Sequence, residues 1–144
     1  MSATVDANML LYGSDRASPF HEKAIAALND LAGGPDLLYL FWPVLMSYLR
    51  ISTHPAIFED PLSPQEASDN VEQLLVLRHV RTPGEEEGFW ELYRSVSGPA
   101  PVRGNLVSDA HIVTLMRQHG VTEIWSHDRD LRRFDDIRIR DPFA

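Results

Sequence analysis

The chain has 144 residues, enough for one domain with a real core and too few for two catalytic ones. Its 44% hydrophobic and 24% charged residues exclude a disordered or fibrous chain, and the lack of cysteine excludes disulfides, thiolate metal sites and cysteine nucleophiles. A net charge of -8 excludes a broadly basic nucleic-acid surface and leaves room only for a local positive face.

The first element expected is a short buried strand, Ala3-Thr4-Val5, which stops at Asp6 and passes into a helical turn around Met9-Leu10-Leu11-Tyr12. From Pro19 to Ala32 apolar residues recur at three- and four-residue spacing, which predicts a helix with Ser18 as its N-cap and Gly33-Gly34 as its stop. The run from Leu37 to Phe41 predicts a central strand buried on both faces. A second long helix starts at Pro43 and ends before His54-Pro55, because a residue that precedes proline is pushed out of the helical region. Another runs from about Gln65 to Leu77 and leads to a short strand near His79-Val80-Arg81.

Glu85-Glu86-Glu87 reads as the first turn of a helix containing Phe89, Leu92, Tyr93 and Val96, where acidic side chains complement the helix dipole. Residues 97–104, rich in glycine and proline, predict a mobile loop. A helix from Leu106 to His119, a strand at Ile124-Trp125, a turn at Asp128-Arg129-Asp130 and a last strand through Ile137 and Ile139 complete the chain. Strands separated by helices imply right-handed crossovers and a mostly parallel sheet of four or five strands covered by helices. No apolar run approaches the ~18–20 residues of a membrane span, and no basic-then-apolar leader is present. The chain is therefore expected to be soluble and cytoplasmic.

In open parallel sheets the working crevice lies beyond the carboxyl ends of the strands. Asp6 follows the first strand, Asp128 follows the strand at 124–126, and Asp109 stands in the first turn of the helix after the loop. If the first and fourth strands are neighbours, the three carboxylates share a pocket, an arrangement that needs a cation to offset their repulsion. Oxygen-only donors suit Mg²⁺ or Mn²⁺. Each aspartate also has a plainer reading, as a helix cap or turn former, and Asp130 either lines the pocket or caps the turn at Leu131. His111 and His127 lack zinc-ligand spacing and read as rim residues. P-loop, dinucleotide and G-x-S-x-G signatures are absent.

Thr4-Val5-Asp6-Ala7-Asn8-Met9-Leu10-Leu11-Tyr12, Leu49-Arg50-Ile51-Ser52-Thr53-His54-Pro55, Gly104-Asn105-Leu106-Val107-Ser108-Asp109-Ala110-His111 and Ser126-His127-Asp128-Arg129-Asp130-Leu131 together resemble the PIN-domain toxins of the VapC type. The resemblance covers nearly the whole chain and implies a single three-layer α/β/α domain over residues 1–144. It also implies a Mg²⁺- or Mn²⁺-dependent endoribonuclease, neutralised by a VapB-type antitoxin in a complex built on a homodimer. On this resemblance Asp6, Asp109 and Asp128 are metal ligands and Asp130 a supporting acid, with Asn8 and Ser126 holding the ligands by hydrogen bonds. Arg103, Arg129, Arg132 and Arg133 are the candidate RNA-phosphate contacts. One position departs from the pattern. Where many relatives carry a glutamate in the third helix this chain has Ser47, which removes a negative charge and leaves open a module that acts only by binding its antitoxin.

Overall fold

The computed structural model describes residues 1–99 and 102–144. Its elements in chain order are β1 (Ser2–Val5), α1 (Ala7–Ser14), α2 (His21–Ala32), β2 (Leu37–Tyr39), α3 (Trp42–Ser52) and α4 (Pro64–Leu75). There follow β3 (Val80–Arg81), α5 (Phe89–Ser97), α6 (Asn105–Gln118), β4 (Glu123–Trp125), a 3₁₀ turn (Arg129–Arg133) and β5 (Arg138–Arg140).

The five strands form one sheet in the order β3-β2-β1-β4-β5, and every pairing is parallel, as the alternation of strand and helix predicts. β1 is the middle strand. It is flanked on both sides, which explains why Val5 is fully buried and why the buried Thr4 hydroxyl donates to the Tyr39 carbonyl at 2.6 Å. Around it pack Met9, Leu38, Phe41, Leu45, Val113, Met116 and Ile124, all within 2% of complete burial. Each such side chain contributes roughly 1.5–3 kcal/mol relative to exposure. α1 packs on α2 and α3, α3 on α4, and α5 on α6. Gly13 leaves room for α2 to pack against α1, since a Cβ there would stand 2.8 Å from Leu28 Cδ1.

Several boundaries differ from expectation, each for a local reason. Ser18 does not cap α2: its hydroxyl and carbonyl accept from the amides of Phe20 and His21, a turn that delays the helix to His21. β2 ends at Tyr39, short of the expected Phe41, and lies inside the sheet between β3 and β1. The three glutamates lie ahead of α5, because Gly88 takes a left-handed φ of 83° that no helical residue adopts. They instead reach α6: the Glu85 carboxylate meets His111 at 2.7 Å, and the backbone of Glu86 exchanges hydrogen bonds with the Gln118 side chain. α6 starts at Asn105 after Gly104, so Asp109 stands in its second turn, not its first. The loop expected over 97–104 includes residues 100 and 101, which lie outside the described residues.

Candidate metal and nucleic-acid site

Strand register builds the site. Val5 of β1 lies opposite Trp125 of β4, so the next residues, Asp6 and Ser126, leave the sheet side by side at its carboxyl end. The buried Ser126 hydroxyl donates to Asp6 Oδ2 and accepts from the Asp128 amide at 2.9 Å. A single hydroxyl thus ties the end of β1 to the turn after β4. Asp6 also caps α1, its Oδ1 accepting from the Met9 amide at 3.1 Å, and Asp128 caps the 3₁₀ turn by accepting from the Asp130 amide at 2.9 Å. The capping role and the cleft-lining position coexist in both residues. Asp109 caps nothing, and its Oδ2 is buried without a hydrogen-bond partner.

Asp6, Asp109 and Asp128 line one cleft of about 110 Å³. Its walls are helical. Pro43, Val44 and Ser47 come from α3, and Ser108, Asp109 and Ile112 from α6, in both cases at positions i, i+1 and i+4. Ser47, half-buried, therefore stands on the cleft wall. Asn8 lines the same cleft with its side chain exposed, and it is the backbone of Asn8, not its amide group, that faces the Asp6 carboxylate.

The tightest group of carboxylates is not the expected trio. One oxygen from each of Asp109, Asp128 and Asp130 lies within 4.8 Å of the others, while Asp6 is held back by its bonds to Ser126 and Met9. Asp130, expected either to line the pocket or to cap the turn at Leu131, stands beside its neighbours at the exposed edge. Burial first, then the charge of Asp128, raises the Asp6 carboxyl to about 6, although hydrogen bonds from Ser126 and the Met9 amide oppose the rise. The Asp109 carboxyl is pushed up to about 7, by burial and then by Asp128, Asp130 and Asp6 in turn. The same charges act on the half-buried Tyr12: burial, then Asp6 and Asp128, raise its phenol. Mutual repulsion on this scale is relieved by a divalent cation, and an oxygen-only donor set with one orphaned buried oxygen fits a hard ion such as Mg²⁺ or Mn²⁺.

The histidines stand apart from the acids. His127 bonds Asp141 at 2.8 Å and packs against Phe20 and Phe143, and His111 is taken by Glu85. Arg103, Arg129, Arg132 and Arg133 are exposed and form no ion pair among the described residues. The spacing of Ser108 and Ile112 to Asp109, which sets them on the same face, is the sequence signal by which this wall is recognisable.

The PIN domain profile matches residues 3–137. Ribonuclease VapC48 of Mycobacterium tuberculosis is 53% identical over 144 residues, covering 100% of this chain and 99% of that protein. Among solved structures, M. tuberculosis VapC20, described as a Sarcin-Ricin loop cleaving toxin, superposes with a TM-score of 0.67 at 16% identity over 94% of this chain and 98% of its own. VapBC2 of Rickettsia felis, solved bound to a DNA fragment from its promoter, gives 0.68 at 11% identity, covering 98% of each chain. A profile match over nearly the whole length and a relative that shares more than half its residues leave one conclusion: the chain belongs to the PIN domain family.

Proposed function

We propose that residues 1–144 form one PIN-like domain that acts as the toxin of a type II toxin–antitoxin pair, an endoribonuclease using Mg²⁺ or Mn²⁺. Divalent-metal dependence is general in the family, and the observation that carries the reading here is the Asp109–Asp128–Asp130 group with its orphaned Asp109 oxygen. When bound, the ion supplies Lewis acidity and makes a water nucleophilic near neutral pH. Asp109 and Asp128 would hold it, with Asp130 at the open edge and Asp6 closing the inner end. Ser126 fixes Asp6 and the Asp128 backbone together, so the two acids keep their relative placement without the ion. Arg129, Arg132 and Arg133 on the 3₁₀ turn, with Arg103 before α6, offer positive charge to phosphates that approach the cleft. An RNA substrate puts this work in the cytoplasm, and no helix among the described residues is long and apolar enough to cross a membrane.

The partner is an antitoxin of the VapB type, as in the VapBC2 complex. A second cleft, of about 330 Å³, has an apolar lining that includes Leu10, Ile25, Leu28 and Leu74. It adjoins a wider one whose rim carries Asp15, Glu59, Asp60 and Glu66. Apolar floor and acidic rim suit a basic amphipathic segment, in keeping with the -8 charge. Exposed Trp42 and Met46 on α3 and Trp90 on α5 supply apolar surface for a homodimer. The test is Mn²⁺ titration of purified protein with an RNA substrate beside an Asp6→Asn variant. Cleavage that requires Mn²⁺ and falls at least tenfold in the variant supports the assignment; equal cleavage by both proteins identifies a contaminant and rejects it.

A further inference from the structure

The acids occupy only part of the cleft. Its remaining polar lining is Asn8 on α1, Ser47 on α3 and Ser108 on α6, all neutral, and none of these side chains is drawn into an internal hydrogen bond among the described residues. No arginine, lysine or aromatic ring lines it either. Without a cation the wall has nothing to pair with a phosphate, and without an aromatic ring it has no platform on which to stack a base. Its free groups are two hydroxyls and an amide, which both donate and accept. Among the groups next to a phosphodiester, the one that both donates and accepts is the ribose 2′-hydroxyl.

Resting on the nuclease reading above, we infer that Ser47, with Asn8 at its side, binds the 2′-hydroxyl of the ribose flanking the scissile phosphate and so selects RNA over DNA. A phosphate drawn to the acid group at the cleft's edge leaves its neighbouring sugar against the α3 wall, since Ser47 and Asp109 line the same space of about 110 Å³. A hydroxyl at position 47 suits this better than a carboxylate: it adds no charge to a pocket already lined by Asp6, Asp109 and Asp128. Ser47 is also half-buried, so a sugar hydroxyl bonded to it is shielded from competing water.

The experiment measures binding apart from cleavage. A fluorescein-labelled single-stranded RNA 10-mer and the DNA 10-mer of the same sequence are titrated by anisotropy in Ca²⁺, a hard ion with the same oxygen preference. The unchanged chain should bind the RNA about 3- to 10-fold tighter than the DNA, the scale of one net hydrogen bond. Ser47→Ala should abolish that ratio by weakening RNA alone, and Ser47→Thr, which restores the hydroxyl, should return it. Alanine is the better helix former, so Ser47→Ala is expected to fold. A ratio that survives Ser47→Ala, an equal loss for both strands, or failure of the unchanged chain to bind either strand overturns the inference. Mn²⁺-dependent RNA cleavage, assayed separately, tells the failures apart: cleavage without ribose discrimination rejects the role of Ser47 and keeps the nuclease, while discrimination without cleavage does the reverse.

Discussion

Asp6 gives the sharpest test of the site's electrostatics, because its carboxyl is almost wholly buried and its charge is opposed by its surroundings. Its value of about 6 stands against an ordinary 3.8. Between those two pH values the folded chain holds a proton that the unfolded chain has released, so raising the pH through this window favours unfolding. The contribution is intact below 3.8 and fully lost above about 6. A shift of roughly two units corresponds to about 3 kcal/mol. Asp109, raised to about 7, extends the decline upward, but it is too exposed for its shift to be converted into stability. Asp6→Asn keeps the shape and removes the ionisation. Its amide oxygen can still accept from Met9, and its NH₂ group can donate to the Ser126 hydroxyl. In EDTA the variant should match the unchanged chain at pH 4 and exceed it at pH 8 by up to about 3 kcal/mol, or roughly 6–12 °C in Tm. Urea unfolding at the two pH values measures this. In Mn²⁺ at a thousand times Kd the order should reverse, since binding at that level adds about 4.1 kcal/mol to the protein that holds the ion. A variant that differs from the unchanged chain by the same amount at both pH values would refute a strained buried carboxylate at position 6.

Ser47→Glu should tighten Mn²⁺ binding by about tenfold through an added ionised donor on the cleft wall, read by calorimetric titration; unchanged affinity would mean that the new carboxylate does not reach the ion. Ser126→Ala strands the Asp6 carboxylate and the Asp128 amide together, and should cost about 1–3 kcal/mol in denaturant unfolding. Ser52 is fully buried on α3 with its hydroxyl unpartnered, so Ser52→Ala should stabilise the chain by about 1 kcal/mol, and a loss of stability would reveal a partner for that hydroxyl.

The order of elements was legible because apolar spacing and punctuation by glycine and proline are local signals. The helix expected from about Gln65 to Leu77 is α4, Pro64–Leu75, and the structure adds a Ser63–Glu66 capping box at its start. The neighbourhood of β1 and β4 was only a condition in the sequence, since pairing between residues 120 positions apart leaves no local trace. The placement of the glutamates failed for a related reason. An acidic run suits a helix start, but His111 and Gln118, distant in sequence, provide partners that draw it to α6. The step of Asp109 into the second turn follows from the φ of 62° at Gly104, a conformation that composition does not specify. The grouping of Asp130 with Asp109 and Asp128 depends on the same long-range assembly. Ser47 was visible as a departure, yet its position on the cleft wall needed the packing of α3 near α6.

The Ser126 clasp also has a consequence in time. Asp6 is among the first residues to leave the ribosome, whereas Asp109, Asp128 and the serine that binds Asp6 belong to the final quarter of translation. A nascent chain therefore carries Asp6 without the other acids of the cleft until it is nearly finished. A chain cut short before residue 126 lacks the clasp altogether, and with it Asp128 and Asp130 of the carboxylate group.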